Sequence, residues 1–591
     1  MRNAALALAL SFLLVSCTSS PRRAVRTAVP PADDMKTAET ASALAGRGSY
    51  VFLKDACRIY GGLYAKAGLR ERVAAPYFRA VFLLFLRERE LGIGGTETFA
   101  RAERLAGENP GLTGYRNWLA AAREIPLRVK GVVRDSIPWL ENTFDPEELD
   151  RLRADLYARA PADGEAAYFY LALACPGKSS YDRADDRAAI LAAHPGSIPI
   201  LFRTGFCPAP AAGRFDEVLQ ADPEFWEAYG FRGEAALGRG EILSAEKDLL
   251  TAFARIPESA LYPVLLASLY FFTEEFEKSI LYCEKALALL PEYRDALLIK
   301  AIGLSQLGRN TDAIGVLNRI IEMRYYLQGE AHYWLAWNYH ALNERDSARG
   351  HIEAAKGPMP TNTHVFSLSG TLALEANEPA AAEADFQQAV EFDGANDEAL
   401  LGLARIAERR ERWTDAAGWY ERTITAMEGK AEGLKAKIEE IAGSGLAAER
   451  KAGMLARRES QLRTAEIVAA AAAFNAAVAW ANAGDTAAAR AAAERAAGHP
   501  QFKERPPSSF KGSKARRRPR PLGRTTVRER VFDGTADVRT SAVNPASPPF
   551  FKIELRRPRP RTRMSRRDAA GSVAPSTGNR RLSSPPWAGS N

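Results

Sequence analysis

Histidine and cysteine are scarce in this chain, six and five among 591 residues. Neither Cys-x-x-Cys nor His-Glu-x-x-His occurs, so the common zinc spacings are absent. No Gly-rich phosphate loop and no nucleophile elbow is present either. The sequence therefore assigns no catalytic residue, no metal and no cofactor, and the expectation is a non-enzyme. Long apolar runs are lacking too. The stretch from Ala4 to Val15 and the segment "AVFLLFL" are both too short for a bilayer, which needs about 20 residues, and "RERE" follows the second. What remains is a chain 47% hydrophobic and 26% charged. It is long enough for several domains or one elongated array. The net charge of +8 hides a division: residues 501–591 carry +16 and the rest −8. The high pI thus describes the tail and not the body.

The N-terminus "MRNAALALALSFLLVSC" has one basic residue, Arg2, then the apolar stretch, and ends in Leu14-Val15-Ser16-Cys17. It resembles the signal peptide and lipobox of bacterial lipoproteins, with residues 1–16 removed. The resemblance implies lipidation of Cys17 and a membrane anchor, because several acyl chains hold a protein stably where one is marginal. Thr18 lacks the aspartate that retains some lipoproteins at the inner membrane. The expected location is the outer membrane, facing the periplasm. The other reading is an ordinary secretory signal. Residues 17–45 are polar and aperiodic and read as lipidated Cys plus flexible tether. Export places the remaining Cys57, Cys175, Cys207 and Cys283 in an oxidising compartment. Cys175 and Cys207 each end an apolar run and precede Pro, in "LALACPG" and "RTGFCPAP". Either they pair as a disulfide, or all four are separate buried thiols.

The dominant signal is a repeat. Ala245, Ser279, Ala313, Ala348, Ala382 and Ala416 recur every 34 or 35 residues. Twelve residues before each stands another small residue: Gly233, Ala267, Ala301, Ala336, Gly370 and Ala404. Gly240, Gly308, Asn343 and Asn377 share one position between the halves, where a helix end needs a residue tolerant of positive φ. Each block reads as two amphipathic helices that approach closely at the small residues. One such hairpin cannot bury its own apolar face, so the blocks must stack. The blocks resemble the tetratricopeptide repeat, most clearly in "EAYGFRGEAALGRGEILSAEKDLLTAFARIP". The resemblance implies an all-α, right-handed superhelical solenoid with six tandem repeats over 223–430 and a terminal repeat-like unit at 466–500. Residues 46–222 read as helical, with degenerate hairpins of the same kind and unassigned function. Between repeats six and seven, Ile424, Met427, Ala431, Leu434, Ile438 and Ile441 form a heptad seam. Residues 431–465 read as a helical hairpin projecting from the array and available for self-association, or as helices continuing the solenoid. The tail, 501–591, is Pro/Arg-rich and aperiodic. It reads as disordered, either a genuine electrostatic tail or an out-of-frame segment, with no specific nucleic-acid partner.

One stretch is unusual: "HYWLAWNYH", residues 332–340, holds two Trp, two Tyr and two His. His332 and His340 stand eight apart, about 80° around a helix, which disfavours a shared metal. In the family the concave groove is lined by the second, fifth, ninth, twelfth and thirteenth positions of each first helix. Carried to this chain, the resemblance implies a strip of Phe271, Phe272, Ile302, Tyr333, Trp337 and His340, with Arg405 and Arg409 toward the C-terminal end. Leu335, Ala336, Tyr339 and His332 fall on the packing face. Such a strip suits a peptide or amphipathic helix with apolar anchors. The contrary reading is a tight superhelix whose aromatics fill its own interior. Two functions follow: a lipid-anchored scaffold holding an envelope protein, or a transport-system accessory lipoprotein holding a small apolar ligand.

Overall fold

The computed structural model describes residues 32–123, 146–174, 184–206, 212–323 and 328–503. All regular secondary structure among these residues is helical. The first part comprises α1 (Ala32–Arg47), α2 (Tyr50–Tyr64), α3 (Arg70–Glu90), α4 (Thr96–Glu108), α5 (Arg116–Arg123), α6 (Pro146–Arg159), α7 (Gly164–Ala174), α8 (Ala184–Ala193), α9 (Ile198–Thr204) and α10 (Ala212–Ala221). Six hairpins follow: α11 (Trp226–Arg239) with α12 (Ile242–Arg255), α13 (Leu261–Phe272) with α14 (Phe276–Leu289), α15 (Arg294–Gln306) with α16 (Asn310–Glu322), α17 (Gln328–Ala341) with α18 (Arg345–Lys356), α19 (Thr363–Glu375) with α20 (Pro379–Phe392), and α21 (Asp397–Arg409) with α22 (Trp413–Gly443). α23 (Ala448–Ala483) and α24 (Thr486–Ala497) complete the helices.

The small residues do what their spacing implies. Ala245, Ser279, Ala313, Ala348, Ala382 and Ala416 are sealed from solvent, as are Ala267, Ala301, Ala336 and Ala404. A Cβ on Gly233 would stand 2.9 Å from Leu249 Cγ, and one on Gly370 2.6 Å from the Phe386 ring. Paired helices therefore approach too closely for anything larger. Ser279 reports the same closeness by donating its hydroxyl to the Ala267 carbonyl at 2.8 Å. The turn inside each hairpin is left-handed at one shared residue. Gly240, Gly308, Asn343 and Asn377 have positive φ there, and so do Glu274 (φ 63°) and Glu411 (φ 57°), which composition did not flag.

Residues 32–45 correct the tether reading. They lie in α1, whose Ala41 is sealed from solvent and packs into the main apolar core. α2 and α3 pack against each other ahead of the repeats. One continuous apolar cluster runs from Ala41 through Phe78, Phe169 and Phe202 to Leu261 and Tyr270. The N-terminal helices and the first two repeats thus share one core. Cys57 and Cys283 are buried, and burial pushes the Cys57 thiol up to about 12. Cys17, Cys175 and Cys207 lie outside the described residues, as does the tail from 504 onward.

The heptad insertion has both of the forms weighed for it. The first half of α22 is the second helix of repeat six, with Ala416, Tyr420 and Ile424 buried. The last half of α23 packs Ala472, Ala473, Ala476 and Ala477 beside α21, α22 and α24. Between these halves, Met427, Ala431 and Leu434 meet Leu462 and Ala465. The return helix therefore occupies the seam that was read as free for self-association. The hairpin does not simply project. Its tip folds back some 200 residues in sequence and reaches repeats one and two, because arginines there meet carboxylates of α12 and the α13–α14 turn.

Candidate binding groove and its frame

Each first helix of a repeat offers five positions to the concave face, and the structure opens only some of them. In repeats two and three the second to ninth positions are largely sealed: Leu261, Val264, Ser268, Leu298 and Ile302 are all buried. Ile302 (3% exposed) and Tyr333 (2%) are core residues, which corrects their assignment to an open groove. They belong to one apolar cluster with Leu298, Trp334, Leu368, Phe271 and Trp337. Neighbouring first helices curve closely enough for large side chains to fill the space between them. The Tyr333 hydroxyl shows the consequence, pushed far above its ordinary value by burial and then by the charge on Glu398, two repeats away.

The open positions are the last ones. Phe272 is 52% exposed, Phe271, Trp337 and His340 are half-buried, and Arg405 and Arg409 are exposed. Phe271 meets Phe276 edge to face at 5.3 Å. His340 Nε2 lies 3.3 Å from Glu375 Oε1 on the next repeat. The accessible strip is therefore a rim at the C-terminal ends of the first helices in repeats two and four. At repeat six the face is open from Glu398 through Arg405 to Arg409.

"HYWLAWNYH" splits accordingly. Tyr333, Trp334, Leu335 and Ala336 are core. Asn338, also buried, donates to Ser305 Oγ at 2.9 Å and to the Trp334 carbonyl at 2.7 Å, joining repeats three and four. His332 Nδ1 stands 3.0 Å from His351 Nδ1, and the His351 ring lies parallel to Tyr339 at 5.4 Å. Burial lowers both histidines, and a charge on His332 lowers His351 further. Among the described residues no three His, Cys, Asp or Glu side chains gather as a metal site.

Two clusters of charge frame this rim, and sequence reasoning missed both. The first lies in "RERE", the charged run that follows "AVFLLFL". Arg87 is instead buried, with Glu90 Oε2 at 2.8 Å, Glu227 Oε1 at 3.4 Å and the Gly48 carbonyl at 3.0 Å. Glu90 also meets Arg203 at 3.3 Å and accepts from the Tyr168 hydroxyl at 2.7 Å. Glu227 holds the second groove position of repeat one, so the N-terminal helices occupy the groove there. Burial pushes Glu227 up to about 7 despite Arg87, and pushes neighbouring Glu88 up to about 7 against the hydrogen bond from Thr98.

The second cluster is at the hairpin tip. Arg450 takes Glu246 in a two-pronged grip at 2.8 and 2.9 Å and reaches Glu275 at 2.6 Å. Arg457 and Arg458 hold Glu274 at 3.2 and 2.9 Å. Arg457 also lies over the Phe276 ring at 5.0 Å, and Arg450 over Tyr270 at 5.6 Å. The Arg450 hydrogen bond holds Glu246 below the usual carboxylate range. Glu275 is also lowered: desolvation opposes the shift, and Lys278, Thr273 and Arg450 outweigh it. No spacing in the sequence announces these pairs, since about 200 residues separate the partners.

A family model for the tetratricopeptide repeat matches residues 298–362 and 368–430. No curated protein sequence matches the chain. Among solved structures, the chain is similar to PilW, a type IV pilus biogenesis factor, at 13% identity over 34% of this chain and 92% of that one, with a TM-score of 0.31. It is similar to YrrB, a repeat protein with an unusual peptide-binding site, at 18% identity over 32% and 97%, with a TM-score of 0.28. A repeat protein from Parabacteroides merdae aligns at 14% identity over 49% and 97%, with a TM-score of 0.32.

Proposed function

We propose that this chain, whose residues 298–362 and 368–430 match the tetratricopeptide repeat, is a helical scaffold for protein–protein interaction, and that its rim of Phe271, Phe272, Trp337, His340, Arg405 and Arg409 holds a peptide or helix of a cell-envelope protein. The observation that carries the reading is Phe272, an aromatic 52% exposed beside half-buried Phe271 on a first helix. Large exposed aromatics beside arginines are typical anchors of recognition surfaces. The narrow rim favours an extended or helical segment laid across the ends of the helices over a small apolar molecule in a closed cavity. The lipobox resemblance at Cys17 supports anchorage to a bacterial membrane with the repeats in the periplasm. Fatty-acid labelling of the wild type and Cys17→Ser tests that part, and equal labelling of both removes it.

The groove itself is tested by a photocrosslinking amino acid at position 272 in cells, with and without Trp337→Ala. The reading predicts a covalent adduct to a defined envelope protein, lost in the Trp337→Ala chain at a temperature where circular dichroism shows that chain folded. An adduct unchanged by Trp337→Ala, or none at all, contradicts it.

A further inference from the structure

A repeat array contacts itself only between neighbours, so its curvature is the sum of many small rotations and is easily changed. Here one long-range tie interrupts that rule. α22 and α23 leave repeat six, and their tip returns to repeats one and two. We propose that this hairpin is a releasable clasp, which sets the curvature of the six-repeat arc and thereby the spacing of the binding rim. It rests on the groove reading only for that last consequence.

Three observations carry the proposal. The tie is made mainly of charge: Arg450 to Glu246 and Glu275, and Arg457 with Arg458 to Glu274, with Arg450 and Arg457 also over the Tyr270 and Phe276 rings and Gly445 beside Leu243. No apolar cluster among the described residues joins residues 443–460 to residues 240–276. The hairpin's own apolar seam is filled internally by Met427, Leu434, Leu462 and Ala465, so the tip can part from the repeats without exposing a core. Second, Glu274 pays for its place in backbone strain. It holds φ 63° at a position filled by Gly or Asn in repeats one, three, four and five. Glu411 shares that conformation in repeat six, so strain alone is not diagnostic. Glu274 differs in that two guanidinium groups meet its carboxylate. Third, the clasp lands on the rim. Glu274 and Glu275 follow Phe272 by two and three residues, and the Phe276 ring under Arg457 is the one that packs on Phe271. Opening the clasp frees the end of the helix that carries the rim's most exposed aromatic.

The test is charge reversal with rescue in the full chain. Hydrogen exchange is read on amides 446–462 and arc dimensions by small-angle scattering. Arg450→Glu with Arg457→Glu and Arg458→Glu should speed exchange of that segment by about tenfold or more and enlarge the maximum dimension. Adding Glu246→Arg, Glu274→Arg and Glu275→Arg should bring both back toward wild type. Exchange unchanged by the triple reversal overturns the clasp. So does acceleration spread over the whole chain without rescue, which means unfolding. Neither readout needs a partner, so a failed groove and a failed clasp give different results.

Discussion

Two distant segments attach to the same pair of repeats by opposite means. The N-terminal helices share a continuous apolar core with repeats one and two, pinned by Arg87 between Glu90 and Glu227 out of contact with water. The hairpin tip meets the same repeats through arginines and glutamates 11–32% exposed, with no shared apolar cluster. A buried ion pair is costly to form and more costly to break, because removal of one partner strands the other charge in a dry site. An ion pair that keeps some contact with water contributes less than a sealed one costs to break, and salt reaches it more easily. The first attachment is built to be permanent and the second to be exchangeable.

Arg87→Met should have the largest effect, because it strips buried Glu227 of its cation and leaves Glu90 with Arg203 alone. The expected cost is about 3–5 kcal/mol, seen as a lower denaturation midpoint. A loss under about 1 kcal/mol would place this attachment in the same class as the tip pairs. Tyr333→Ala should cost a similar 3–5 kcal/mol as a core truncation, while Phe272→Ala should change stability only slightly. Comparable losses for the two would erase the division between core and rim.

Acidity sharpens the contrast further, since the two attachments titrate in opposite senses. The folded state raises Glu88 to about 7 from an ordinary 4.5, so it binds the proton more tightly than the unfolded chain. Stability from that group is present below 4.5 and lost as pH rises toward 7. Glu88→Gln should therefore raise the melting temperature at pH 8 and lose that advantage at pH 4. Glu246 and Glu275 are lowered, so their contribution is present above the ordinary carboxylate value and is lost as pH falls through their folded values. Protection of the tip amides should fall on acidification while that of α3 does not. A parallel fall in both would contradict the assignment.

The smallest effect is expected from Arg450→Ala, a change of about 1 kcal/mol or less in global stability, because the tip is one local contact of a large array. A loss of several kcal/mol would mean that the tip is welded as firmly as the N-terminal helices.

How much of this was legible in the sequence depends on the range of the interaction. The hairpins were, because Ala245 to Ala416 impose a local period and every member is buried where the period puts it. The groove was half legible. The register located the first helices, but packing between neighbouring repeats decided that Ile302 and Tyr333 are core while Phe272 is open, and that packing is a property of the stack. Neither charge cluster was visible. "RERE" has the composition of a solvated end, and its burial depends on helices from three separate parts of the chain. Glu274 stands where repeats one, three, four and five have Gly or Asn, and its partner Arg457 lies 183 residues downstream.

Hydrogen exchange across a salt series tests the central difference most directly, by comparing amides 446–462 at the hairpin tip with amides 80–91 of α3 and the turn after it. Raising salt from about 0.05 M to about 1 M shortens the screening length from over 10 Å to about 3 Å. The tip should lose protection progressively over that range while α3 keeps its own. Equal responses in the two segments, or a tip indifferent to salt, would contradict the account.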